Sequence, residues 1–350
     1  MGQQWRLGRS LVADLHPASF AMVMATGAVS VASLLVGFRT IAVALLPANV
    51  LFALVLVALT ILRLAWYPAR VAADLTDHTR AVGFFTIVVA TAALGIQTLL
   101  ITGVRSVALA LWILAIVFWV MLTYGIFTAL TVKPIKPTLA EGINGGWLLA
   151  VVAPQSIVVL GAQLASGFGT HAQEVLLFCL SMWLGAGMLY IWIISLIFYR
   201  YMFFVLEASD LAPPYWINMG AVAISALAGS FLILEAPQSA LLSQLLPFLK
   251  GLTLLFWATA TWWIPMLVIL GVWRHGVKRF PLRYDPLYWG AVFPFGMYTA
   301  CTWRLAQAID VPSLAIIARV FIFVALAAWT LTFAGLVGWL AGMGRSARTT

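Results

Sequence analysis

Apolar runs separated by short polar connectors recur along the whole chain. Residues 44–62, 107–130, 252–273 and 314–339 each approach or exceed the roughly 20 residues that cross a bilayer as a helix. The pattern predicts ten helices, at about 18–36, 44–64, 81–101, 107–131, 146–165, 174–202, 216–235, 250–273, 288–307 and 314–340. The expected fold class is therefore all-α integral membrane, with one transmembrane domain over residues 1–350.

The connectors carry an asymmetric charge. Fourteen Lys or Arg fall on the face that holds both termini: Arg6, Arg9, Arg63, Arg70, Arg80, Lys133, Lys136, Arg200, Arg274, Lys278, Arg279, Arg283, Arg345 and Arg348. Four fall on the other: Arg39, Arg105, Lys250 and Arg304. This bias predicts cytoplasmic termini in a cell membrane and an even number of spans. The first apolar segment has no cleavage site after it and is expected to be retained.

Trp147, Trp216 and Trp289 stand at the entrances of odd-numbered helices about 70 residues apart, and the helices pair as five hairpins of one sense. Same-sense hairpins can close around an axis normal to the membrane. Residues 18–33 contain ten Gly, Ala, Ser or Thr in sixteen, whereas residues 44–62 contain five in nineteen. Small residues permit close helix approach. Ten of sixteen Trp lie on even helices, where bulky rings suit lipid and interface contact. Odd helices are expected inside and even helices outside, around a central pore.

Composition narrows the function. Only 8% of residues are charged, against about 25% in soluble domains. The net charge of +9 lies in loops rather than on one face, which argues against a nucleic-acid partner. Cys179 and Cys301 fall inside helices and read as packed thiols. His16, His78, His171 and His275 lie at helix ends or in loops. No paired His/Glu motif, Walker loop or Gly-x-Ser-x-Gly occurs, so neither an enzyme nor a cofactor is indicated. The spans almost lack carboxylates, which disfavours a cation pathway lined by acid rings.

Anions need no fixed charge in the span, because helix N-termini offer free N–H groups and a positive dipole end. Pro17, Pro154 and Pro294 fall near the starts of odd helices and are candidate pore kinks. Ser19, Phe20, Thr26, Gln155, Ser156, Asn218, Thr299 and Thr302 are candidate lining residues. A helix–helix hydrogen bond explains the polar ones equally well.

Three segments carry a family resemblance. HPASFAMVMATGAVSVAS (residues 16–33), PPYWINMGAVAISALAG (213–229) and YDPLYWGAVFPFGMYTACTWRLA (284–306) resemble the tellurite-resistance/dicarboxylate transporter family. That family includes malate transporters, sulfite efflux proteins and, more distantly, slow anion channels. The resemblance implies a small-anion transporter with ten helices around a central pore, commonly a trimer. It also implies a pore-plugging phenylalanine in a Trp-x-x-x-Phe-Pro pattern, matched by Trp289, Phe293 and Pro294. Phe293 is thus the expected gate and Phe295 the second choice. Which anion is carried stays open among malate and other C4-dicarboxylates, tellurite, sulfite and chloride. A proton-coupled carrier with alternating access is the alternative to a channel.

Overall fold

A computed structural model describes residues 11–349, with side chains through 342. Arg6 and Arg9, and the side chains of Arg345 and Arg348, lie outside the described residues. Ten long helices follow in order: α1 (Ala21–Leu35), α2 (Arg39–Trp66), α3 (Phe85–Gln97), α4 (Arg105–Val132), α5 (Leu149–Leu164), α6 (Ala172–Phe203), α7 (Ile217–Leu234), α8 (Leu246–Val272), α9 (Trp289–Ala308) and α10 (Leu314–Thr349). No strand occurs among the described residues.

Eight segments are long and apolar enough to cross a membrane. One of them, Gly145–Phe203, contains both α5 and α6. The chain turns between these two at Gly169, whose φ of +56° is costly for a residue with a Cβ. The helix α9 is not among the eight. It carries Arg304, Gln307, Pro294, Tyr298, Thr299 and Thr302, and it is covered by α1, α7 and α10. Protein rather than lipid surrounds it, so it does not need an apolar circumference.

The five odd helices pack in a closed cycle, α1 on α3, α3 on α5, α5 on α7, α7 on α9 and α9 on α1. Each even helix packs outside its own hairpin partner. The burial follows: 94% of the most apolar window of Pro213–Leu234 is covered by protein, against 17% of that of Arg105–Val132. Small residues make the inner contacts possible. A Cβ at Gly220 would fall 2.7 Å from the Pro294 ring, and one at Gly296 would fall 2.9 Å from the backbone of Ala28 and Val29.

Every peripheral helix is also tied to the central helix of the next hairpin by a side-chain hydrogen bond. Asn49 Nδ2 of α2 donates to Gln97 Oε1 on α3 (2.5 Å). Trp112 Nε1 of α4 donates to the Ile157 carbonyl on α5 (3.0 Å), and Trp183 Nε1 of α6 to the Ser225 carbonyl on α7 (2.8 Å). Trp257 Nε1 of α8 donates to Thr302 Oγ1 on α9 (2.9 Å). Trp329 Nε1 of α10 closes the ring on Thr26 Oγ1 of α1 (3.0 Å). Bonds of this kind contribute about 0.6 kcal/mol each in a bilayer, and they fix register as well.

This corrects the expectation that tryptophans on even helices face lipid. Trp192 and Trp262 do lie exposed, but Trp112, Trp183 and Trp263 are buried. An indole has one donor, and burial against a neighbouring helix supplies its acceptor.

Candidate functional site

All five central helices begin in a 3₁₀ turn: Pro17–Phe20, Ala81–Phe84, Gly145–Leu148, Pro213–Trp216 and Pro286–Tyr288. Proline suits the first helical turn because its missing N–H would be unpaired there anyway. Pro17 therefore opens its turn and does not kink α1, contrary to expectation. Pro154 and Pro294 do lie inside α5 and α9.

The five turns converge on a cavity of about 210 Å³. Its lining includes His16 and Ala18 at the α1 entrance, Gly83 before α3, Asn144 before α5, Tyr215 before α7 and Leu287 before α9. A second cavity, of about 30 Å³, lies between the central helices themselves. Met24, Val89, Ser156, Ile224 and Phe293 contribute to it from α1, α3, α5, α7 and α9 respectively. On each helix the second set follows the first by six to twelve residues, a rise of roughly 9–18 Å. The two spaces are thus stacked along the axis of the ring. The upper one is large enough for about one or two water molecules. Its polar lining residues are Ser156 and Gln163, both of which donate to backbone carbonyls of α5.

Phe293 is 1% exposed and is the first α9 residue of the upper cavity. Phe295 points elsewhere, with its ring 4.8 Å from that of Trp216 and 6.1 Å from that of Phe321.

Of the candidate lining residues, Ser156 alone borders the upper cavity. Ser19 Oγ donates to the His16 carbonyl (2.6 Å), and Phe20 packs outward with Ala53, Leu56 and Ala90. Thr26 accepts from Trp329. Gln155 Nε2 donates to the Trp183 carbonyl (3.2 Å), and Asn218 Nδ2 to Tyr201 Oη (3.1 Å). Thr299 Oγ1 donates to the Phe295 carbonyl of its own helix (3.0 Å). Apart from the partly exposed Ser19 these polar groups are buried, and their donors are paired within the helix shell, while Gln155 Oε1 and Asn218 Oδ1 have no hydrogen-bond partner among the described residues. The upper cavity is lined by apolar side chains apart from Ser156 and Gln163.

Arginine is where sequence reasoning fell short. Arg200 is on a peripheral helix, yet its side chain lines the lower cavity. Arg304, near the opposite end of α9, lies 5.2 Å over the ring of Phe231, which borders the upper cavity.

His16 stays neutral in the lower cavity. Burial, followed by the nearby Arg80 cation, pushes its pKa down to about 4, against a smaller opposing effect of Asp74. Its Nδ1 accepts from the Ala18 N–H (3.0 Å), a cap that needs the unprotonated ring. The folded state binds this proton less readily than the unfolded chain, so the contribution is full above pH 6.5 and is lost as pH falls toward 4. Thermal unfolding in detergent should show a decline over this window. His16→Asn, which keeps a cap acceptor without a titrating group, should flatten it. An unchanged slope would refute the assignment.

Residues 14–337 match the model of the family described as voltage-dependent anion channel. An uncharacterized membrane protein of Mycobacterium tuberculosis is 41% identical over 165 residues, covering 46% of this chain and 82% of the relative. Two proteins of Methanocaldococcus jannaschii, each described as an uncharacterized transporter, are 27% and 26% identical. They cover 84% and 83% of this chain and 85% and 83% of their own lengths.

Proposed function

Because the chain belongs to the voltage-dependent anion channel family, we propose that it forms a cell-membrane pathway for small anions along the axis of its five central helices. In this reading all ten helices cross the bilayer as same-sense hairpins with both termini cytoplasmic. Phe293 closes the pathway. The substrates are C4-dicarboxylates such as malate, with sulfite, tellurite and chloride as smaller candidates, and the resemblance favours a homotrimer in the lipid bilayer.

One observation carries the reading: the starts of the five central helices meet in one cavity, and Phe293 borders a second cavity above it. Each terminus brings the positive end of a helix dipole, equivalent to about half a unit charge, while the Ala18, Gly146 and Leu287 N–H groups are already capped by side chains. Five together favour an anion without a cation buried in the span. The fourteen-to-four basic bias supports a cytoplasmic position for this cavity.

A proton-coupled carrier is the second reading. Among the described residues no carboxylate lines the upper cavity, which supports the channel over a carrier with a protein-borne proton relay. Anion flux in proteoliposomes, with and without a pH gradient, separates the two. The channel reading expects flux that follows the anion gradient, with a reversal potential set by the anion. Strict dependence on the proton gradient would favour the carrier, and cation selectivity would refute both.

A further inference from the structure

Arg200 has an unusual set of partners for a buried cation. The residue is 7% exposed and lines the lower cavity beneath the ring of helix N-termini. Its Nη1 donates to Tyr215 Oη. Its Nη2 lies 3.5 Å from Asp210 Oδ2, too far for a strong charge-assisted bond. Its Nε is buried and has no hydrogen-bond partner among the described residues. Nε and Nη2 form one edge of the guanidinium fork, the edge that a carboxylate engages with two parallel bonds. That edge is therefore vacant at one nitrogen and loosely held at the other.

The other polar groups of the cavity are already engaged or uncharged. Asn144 Oδ1 accepts from the Gly146 N–H (2.8 Å), and His16 is neutral. Thr79 Oγ1 donates to Asp77 (2.6 Å). Glu141 is exposed, and its carboxylate accepts from both Oγ1 (2.8 Å) and N (3.1 Å) of Thr138. Asp210 is a third exposed and accepts from the Glu207 N–H (3.1 Å). It can leave Arg200 without being buried unpaired.

We propose that Arg200 is the carboxylate-binding residue of the lower cavity and that Asp210 is its resident competitor, displaced when an anionic substrate enters. The proposal rests on the anion-pathway reading and narrows the substrate to carboxylates, whose planar geometry matches the fork. A spherical halide gains charge from Arg200 but not the paired bonds. Lysine would keep the charge and lose the fork.

The test is binding to the purified full chain in detergent, read as ligand-induced stabilisation by malate and by chloride, beside flux in proteoliposomes. Asp210→Asn should tighten malate binding by about tenfold, the gain from removing a negative charge that repels the ligand carboxylate beside Arg200. Arg200→Lys should weaken malate binding by about tenfold and leave chloride nearly unchanged. The double variant should lose the gain seen with Asp210→Asn. The proposal is overturned if malate does not stabilise the native chain, or if Asp210→Asn leaves malate affinity unchanged. It is equally overturned if Arg200→Lys binds malate as the native protein does. Should Arg200→Lys not fold, Asp210→Asn at its partly exposed position still decides. Malate binding with these variant responses but no anion flux would uphold the site and refute the pathway.

Discussion

Phe293→Ala will raise anion conductance per folded protein. The aromatic ring borders the upper cavity of about 30 Å³, above the cavity of about 210 Å³ where the five helix starts meet, and in the pathway reading it is the plug between them. An apolar constriction closes a pore by excluding water, so widening it at a single ring can suffice. The nearby lining is Met24, Val89 and Ile224, none of which reaches the bulk of the lost ring without a backbone shift. A pure packing role predicts the opposite: a cavity costing about 3–5 kcal/mol, lower yield and no gain of flux. Phe295→Ala is the matched comparison. Its ring packs on Trp216 and Phe321 away from the axis, so its loss should reduce stability without opening the pathway. Flux in proteoliposomes, normalised to folded protein, decides. If Phe295→Ala alone opens the pathway, the gate is Phe295. If neither does, both rings serve packing.

Much of the architecture was legible because lipid and protein demand different surfaces. Small residues concentrated in residues 18–33 marked a helix with protein on every side, and α1 lies inside the ring. The motif around Trp289, Phe293 and Pro294 carried the family resemblance, which the match over residues 14–337 supports. Lining residues were legible only in part, with Ser156 the one polar candidate that borders the upper cavity. Polarity suggested Thr26, Gln155 and Asn218, but a buried polar group seeks a partner before it seeks an axis, and these three found theirs on α10 and α6. Composition cannot say which side of a fully buried helix faces the centre. The indole bonds between hairpins left a trace that went unused: Trp112, Trp183, Trp257 and Trp329 recur at nearly the 70-residue interval of the entrance tryptophans. Taken with their even-helix positions, that interval pointed to a repeated structural contact rather than to an aromatic belt. Arg200 was seen near a helix end, but its reach from a peripheral helix to the axis depends on the loop before α7 folding under the ring.

Asp74→Asn will destabilise the protein by about 3–5 kcal/mol, the usual cost of removing one member of a buried ion pair. The short helix Pro68–Leu75 brings Asp74 between two arginines. Its Oδ2 is 2.7 Å from Arg63 Nη2, and its Oδ1 is 2.6 Å from Arg80 Nε. Arg63 is 4% exposed and also donates from Nε to the Ala13 carbonyl (3.3 Å), so the cluster ties α2 to the segment before α1. Without the carboxylate, Arg63 remains buried with a charge and one neutral acceptor. Arg63→Met with Asp74→Leu should cost less than Asp74→Asn, because it removes the charge together with its partner. A packing role alone would make the double change the worse of the two. The pH response gives a separate check. Burial raises the Asp74 pKa, but hydrogen bonds from Arg80 and Arg63 outweigh it and hold the carboxyl below its ordinary 3.8. Its stabilising contribution is therefore full above about pH 4 and is lost only as pH falls through the lowered value. The native protein should lose stability in two stages, first over the His16 window between 6.5 and 4 and then below it. Asp74→Asn should remove the second stage. It should also deepen the first, since the Asp74 charge is one of the two that favour a proton on His16. Unfolding temperatures of the native and Asp74→Asn proteins between pH 8 and 3 would show both effects. A single unbroken decline shared by the two proteins would rule out the assignment of the acid stage to Asp74.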